Sequence, residues 1–96
     1  MKMLMLVYSG PAPQRISSLL DRPLAGGYTE FRNAHGAGSS GRREGSRAWP
    51  GESTLWLSVV PESSSAELVD TLRAEAARLP AGERLHVAVL PTETFF

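Results

Sequence analysis

The stretch at residues 35–53, HGAGSSGRREGSRAWPGES, constrains the fold more than any other part of the chain. It is rich in glycine, serine and arginine and holds no aliphatic residue larger than alanine. Such a composition cannot bury enough apolar surface to order a core of its own. A connection this long inside a compact domain is usually functional or disordered. The whole chain has 96 residues, enough for one domain and too few for two. The segments on either side must therefore share a single core. A domain of this size buries roughly 60–70% of its unfolded surface, so it has little stability to spare, and oligomerisation is a common remedy.

The flanks read as two β-α-β halves. Residues 2–8, KMLMLVY, are apolar on both alternating faces, as in a strand buried on both sides. Ser9–Pro13 break the run. Ile16, Leu19 and Leu20 then recur at helical spacing, which predicts a short helix over 13–21 that stops before Pro23. Ala25–Gly27 turn the chain into an alternating strand over 28–34, with Tyr28, Glu30, Arg32 and Ala34 on one face and Thr29, Phe31 and Asn33 on the other. Beyond the long loop, residues 54–60 form a strong strand, with Leu55, Leu57 and Val59 opposed to Trp56, Ser58 and Val60. Ser64 with Glu67 predicts a capping box, in which each side chain satisfies the other residue's free backbone N–H. It would open a helix over 65–79 whose Leu68, Leu72, Ala76 and Leu79 trace one face. Pro80-Ala81-Gly82 ends that helix, and residues 84–90, RLHVAVL, make the last strand, closed by Pro91.

This order predicts one α+β, ferredoxin-like domain over 1–96: βαββαβ, a four-stranded antiparallel sheet with two helices on one face and a long loop between strands two and three. The other face of such a sheet is ordinarily polar. Here Met3, Met5 and Val7 oppose Leu4 and Leu6, while Leu55, Leu57 and Val59 oppose Trp56 and Val60. Each such side chain left wet forgoes roughly 1.5–3 kcal/mol of burial. The second face is therefore expected to be covered by other copies of the chain.

Ten basic and ten acidic side chains leave a formal net charge of zero, which argues against a nucleic-acid binder. Nine of the ten basic residues are arginine, and three of these fall at 42, 43 and 47. Without cysteine, no disulfide, thiolate metal site or cysteine nucleophile can form. The opening MKMLMLVYSG is too short an apolar run for a signal peptide or for a membrane span of about 20 residues. It reads as a buried strand, and a cytoplasmic location without membrane insertion is expected.

Two strands bridged by a glycine-rich loop, the segment GYTEFRNAHGAGSSG at 27–41 and the Trp-Pro-Gly at 49–51 together resemble the PII-like proteins, relatives of the nitrogen-regulatory P-II signal transducers. In P-II proteins a strand beginning Gly-x-Thr leads into Gly-x-Gly and a basic stretch. Here Gly27-Tyr28-Thr29 leads to Gly36-Ala37-Gly38 and Arg42-Arg43. The PII-like loop often returns through Gly-x-His-x-Trp-Pro-Gly; here Gly45-Ser46-Arg47-Ala48-Trp49-Pro50-Gly51 puts arginine in place of the histidine. The resemblance implies a homotrimer of ferredoxin-like subunits with a T-loop, residues 35–52, above each intersubunit cleft. It implies an adenine nucleotide or a small anion as ligand in that cleft, and a transporter or enzyme as the target docked through the loop. P-II proteins also carry a second glycine- and lysine-rich loop that holds phosphates, before the last strand. Only Leu79-Pro80-Ala81-Gly82-Glu83-Arg84 stands there in this chain.

The candidate ligand-binding residues are Gly36, Gly38, Gly41, Arg42, Arg43, Arg47, Trp49 and Gly51. Glycines let backbone N–H groups turn toward an anion, and arginines neutralise it with paired hydrogen bonds. The same arginines could equally be solvated charge, and Trp49 could pack on a neighbouring subunit rather than stack on a base. Gly36, Gly38 and Gly41 spell GxGxxG but do not sit directly between a strand end and a helix, so they are not a dinucleotide fingerprint. His35 and His86 are the two histidines, too few for a convincing metal site. No nucleophile with a positioned base is legible, and the chain is not expected to be an enzyme. Two other readings stand beside the first. One is a metal-handling trimer like the CutA ion-tolerance proteins. The other is a dimeric ferredoxin-like binder or enzyme with a pocket on the open sheet face, lined by Trp56 and Val60.

Overall fold

The computed structural model describes residues 1–21, 25–38, 41–42 and 53–96. In chain order it contains β1 (Lys2–Ser9), α1 (Gln14–Leu20), β2 (Thr29–Ala34), β3 (Ala37–Gly38), β4 (Gly41–Arg42), β5 (Ser53–Val60), α2 (Glu62–Arg78) and β6 (Arg84–Pro91). The four long strands form one antiparallel sheet in the order β2-β5-β1-β6. This is the ferredoxin-like βαββαβ arrangement expected from the sequence.

The most apolar strands take the centre. β1 pairs along its whole length with β5 on one side and β6 on the other. Leu4, Leu6 and Tyr8 of β1 and Trp56 and Val60 of β5 point to one face, where Ile16 and Leu20 of α1 and Leu68 and Leu72 of α2 cover them. All nine are essentially sealed from solvent. Period-two strands and i, i+4 helix positions thus meet in one core. The two polar tips inside it are satisfied, as large aromatic residues require. Trp56 Nε1 donates to Glu30 Oε1 at 2.8 Å, and the Tyr8 hydroxyl donates to Glu83 Oε1.

Trp56 and Val60 therefore lie under the helices and cannot line a pocket on the open face, which overturns that part of the binder reading. Both faces of the strand are apolar, so alternation alone does not say which one the helices take. The open face instead presents Leu55, Leu57 and Val59 of β5 beside Met3, Met5 and Val7 of β1. Phe31, Met5 and Leu90 remain 47%, 37% and 40% exposed there, as the two-faced pattern anticipated.

Helix α2 begins earlier than the capping box required. Pro61, at ψ 142°, is the N-cap, and the backbone N–H groups of Ser64 and Ser65 both donate to its carbonyl. Ser64 Oγ donates back to the Pro61 carbonyl at 3.3 Å and so is a residue of the first turn, not the cap. Proline has no N–H to satisfy and a φ already suited to the helix, so it nucleates the turn without a side-chain cap. Glu62 in the first turn and Arg78 in the last complement the helix dipole. The buried stripe runs Ser65, Leu68, Leu72, Glu75.

Gly26 (φ 72°) and Gly27 (φ 123°) carry the turn between α1 and β2 through left-handed backbone. Ser58 Oγ donates to the Gly27 carbonyl at 2.6 Å and fixes that turn to the sheet. In β2 the register shifts between Phe31 and Ala34, where Asn33 has φ 58°, so the simple alternation read from residues 28–34 ends in a bulge. Within the stretch expected to be plain loop, β3 and β4 pair as a short antiparallel ladder, Ala37 with Arg42 and Gly38 with Gly41. Among the described residues no helix is long and apolar enough to cross a membrane.

Candidate functional site

Four chain segments meet at one end of the sheet. Ala34, where the long loop leaves β2, pairs with Ser53, where the loop returns as β5. Ser53 is almost fully buried, and its hydroxyl lies 2.7 Å from that of Ser9 at the end of β1. Ser9 in turn pairs with Arg84, the first residue of β6. Both roots of the loop, the end of β1 and the turn before β6 are thus tied side by side by sheet register.

Beneath this junction lies a chain of alternating charges. Tyr8 Oη donates to Glu83 Oε1 at 2.5 Å and accepts the backbone N–H of Ala12 at 3.1 Å. Arg15 Nη1 stands 3.9 Å from the same Glu83 oxygen, and Arg15 Nη2 donates to Glu75 Oε1 at 2.8 Å. Arg78 Nη2 completes the chain by donating to Glu75 Oε2 at 2.8 Å. Two nearly buried carboxylates are thereby shared among two arginines and a phenol, which is the condition under which buried charge is tolerable. The Arg78 hydrogen bond first, and that of Arg15 behind it, hold the Glu75 carboxyl below the usual carboxylate range although burial pushes the other way. Burial, then the Glu83 hydrogen bond, pushes the Tyr8 phenol up to about 12. Tyr8 is a permanent hydrogen-bond donor, not a proton shuttle. Gly10 is required here by space: a Cβ at this position would run into the Tyr8 phenol ring and hydroxyl.

The turn before β6 closes on itself, with the Glu83 N–H donating to the Pro80 carbonyl at 3.1 Å. It holds no lysine and sends its one carboxylate inward. Residues 79–83 thus offer an anion no cation of their own, and the next one in sequence is the exposed Arg84 at the start of β6.

Of the residues singled out from the sequence, Gly36 sits half-buried just beyond β2, at this end of the sheet. Gly38, Gly41 and Arg42 fall in the β3–β4 ladder, which gives the GxGxxG spacing a hairpin role. Arg43, Arg47, Trp49 and Gly51 lie outside the described residues. His35 follows β2 and His86 lies in β6, at opposite edges of the sheet. Among the described residues no group of three or more His, Cys, Asp or Glu side chains could hold a metal. The reading from sequence missed Tyr8, Arg15, Glu75 and Glu83. Glu75 had a signal, since it continues the stripe of Leu68 and Leu72 at helical spacing and so had to be buried.

No protein-family model matches the chain, and no curated protein does either. Solved structures do match. One is CPII, a nitrogen regulatory PII-like protein from Thiomonas intermedia K12, bound to ADP, AMP and bicarbonate. It is 26% identical, superposes with a TM-score of 0.66, and the match covers 93% of this chain and 84% of that one. CPII from the same organism bound to ADP and bicarbonate matches at 25% identity and a TM-score of 0.67, with the same coverage. A 2.3 Å structure of CPII with ADP, AMP and bicarbonate matches at 24% and 0.64, covering 93% of this chain and 90% of the other. The likeness expected from the glycine-rich loop and Trp-Pro-Gly therefore extends to three dimensions: this chain has the fold of the nitrogen-regulatory PII-like proteins.

Proposed function

We propose that this protein is a cytoplasmic, homotrimeric PII-like regulator that binds a small anion or an adenine nucleotide in the cleft between subunits and signals through residues 35–52. The observation that carries this reading is the junction at the end of the sheet. Both roots of the loop are fastened there to the ends of β1 and β6, so a ligand seated at the junction bears on the loop directly. The CPII structures hold ADP, AMP and bicarbonate on the same fold, which supports this choice of ligand class. Residues 79–83 carry no cation of their own, so we assign the anionic part of the ligand to the loop side, to the glycines and to Arg42, Arg43 and Arg47. Binding would order the loop, and the ordered loop would be read by a transporter or an enzyme, in the order–disorder mode of switching. The protein acts by binding, not by catalysis.

A thermal-shift panel tests the reading. It holds bicarbonate, phosphate, AMP, ADP, ATP, cyclic nucleotides, citrate, 2-oxoglutarate and divalent metals. A ligand at about 100 times its dissociation constant adds roughly 2.7 kcal/mol per site, well within detection. A shift with bicarbonate or an adenine nucleotide that vanishes in the R42A/R43A/R47A variant is the expected result. A shift with metals alone, or no shift with any anion, overturns it.

A further inference from the structure

Where the long loop leaves and rejoins the sheet, Ala34, Ser53, Ser9 and Arg84 stand in one row, one residue from each strand. Alternation puts Ser9 on the open face with Met5 and Val7, Ser53 with Leu55 and Leu57, and Arg84 with His86. The largely apolar face thus turns polar at its loop end. The Ser9 and Ser53 hydroxyls lie 2.7 Å apart, so one donates to the other, and each has a single proton to give. Ser53 is 3% exposed, and among the described residues Ser9 is its only side-chain partner. A buried O–H is not left without an acceptor, so Ser53 is the donor. Ser9, half-buried, keeps its own proton for whatever lies over it. Arg84 pairs directly across from Ser9, about 5 Å away at the backbone. It is exposed, and none of the ion pairs among the described residues includes it. The neighbouring carboxylate, Glu83, turns to the helix side, to Tyr8 and Arg15.

We infer that Ser9 and Arg84 are the sheet-side wall of an oxyanion subsite, with Ser53 positioning the Ser9 hydroxyl. The inference rests on the ligand-binding reading above and names the part of the sheet that would take the ligand's charged group. A spare O–H donor beside an unpaired guanidinium is matched by a group that both accepts hydrogen bonds and carries negative charge. A cation placed there would meet like charge. An apolar group would cover the Ser9 O–H without giving it an acceptor, which costs the desolvation of that group. The chemistry is that of one oxyanion, either free or borne as the phosphate of a nucleotide. Ser9 and Arg84 belong to paired strands, so their spacing is set by backbone register and does not wait for the ligand. Tyr8 and Arg15 contribute from behind: by holding the Glu83 carboxylate on the helix side, they keep a competing negative charge away from this row.

The test is calorimetric titration of the full chain with bicarbonate, inorganic phosphate and AMP in turn, with far-UV circular dichroism of each variant to show that it is folded. Arg84→Gln should weaken binding roughly tenfold to a hundredfold, as loss of a charged hydrogen bond does, and Ser9→Ala roughly threefold to tenfold. Ser9→Thr keeps the hydroxyl and should bind like wild type, which separates the donor from the mere packing of that position. Ser53→Ala leaves the Ser9 O–H in place and should cost less than Ser9→Ala. Losses confined to bicarbonate and phosphate would seat a free oxyanion at the subsite; losses with AMP would seat a nucleotide phosphate there. If wild type binds a probe and both Ser9→Ala and Arg84→Gln bind it equally well, the subsite is overturned and the ligand-binding reading stands. If wild type binds none of the probes, that reading fails and the subsite fails with it.

Discussion

Tyr8 and Glu83, 75 residues apart in sequence, share a 2.5 Å hydrogen bond that fastens the end of β1 to the turn before β6. The phenol is buried and also accepts the Ala12 N–H, so removing its oxygen strands two partners at once. Tyr8→Phe should cost roughly 2 kcal/mol, the penalty for leaving buried polar groups unsatisfied. For a domain of this size that lowers the melting temperature by about 10 °C. Urea unfolding of Tyr8→Phe, Glu83→Gln and the double variant checks it. The double variant should cost clearly less than the sum of the singles, because both remove the same interaction. Additive losses would show that the pair is not coupled.

The alkaline limb of stability follows from the same bond. Tyr8 stays neutral in the fold up to about 12, against about 10 in the unfolded chain. Below pH 10 both states are neutral and the stabilisation is complete. Above it the unfolded state gives up its proton first, so stability falls as pH rises from about 10 to 12, by up to roughly 3 kcal/mol. Absorbance titration at 295 nm should show one tyrosinate transition near pH 12 that is missing from Tyr8→Phe. The urea midpoint of that variant should decline less steeply over the same interval.

At the acid end the group to watch is Glu75, whose carboxyl is held low by Arg78 and Arg15. A depressed carboxylate stabilises the fold above its ordinary unfolded value of about 4.3, and that contribution is lost as pH falls toward the lowered folded value. Wild type should therefore lose stability steadily on acidification below about pH 4.5, while Glu75→Gln, already weaker at neutral pH, should change less. Parallel curves between pH 6 and 3 would show that Glu75 does not govern this limb.

Much of this architecture was legible because the signals are local. KMLMLVY, TLWLSVV and RLHVAVL announce strands by composition, and Leu68 with Leu72 announces one face of a helix. What was not legible depends on distance or on competition between local rules. Ser64 and Glu67 satisfy the capping pattern, but Pro61 starts the helix three residues sooner. The β5 strand is apolar on both faces, so alternation identifies two sets of residues without saying which set the helices cover. Nothing near Tyr8 in sequence points to Glu83, Arg15 or Glu75. That network exists only because the sheet brings the end of β1 beside the start of β6 and α1 meets α2 behind it, where Arg15 reaches Glu75.

The two faces can be told apart by charge insertion. Leu6 and Met5 are adjacent on β1, yet Leu6 is sealed under the helices and Met5 is 37% exposed on the open face. Leu6→Glu places an unpaired carboxylate in the core, a cost of several kcal/mol that a small domain with a total stability of about 5–15 kcal/mol can barely absorb. It should lose cooperative unfolding and native circular dichroism. Met5→Glu changes a side chain that the single chain leaves partly in water, so the monomer fold should survive. The carboxylate would, however, be desolvated wherever a second copy covers that face, and assembly should fail. Light scattering with circular dichroism on the two variants decides the matter: a folded Met5→Glu monomer is the expected result. A Met5→Glu protein that still assembles like wild type would mean that the open face is not the contact between copies.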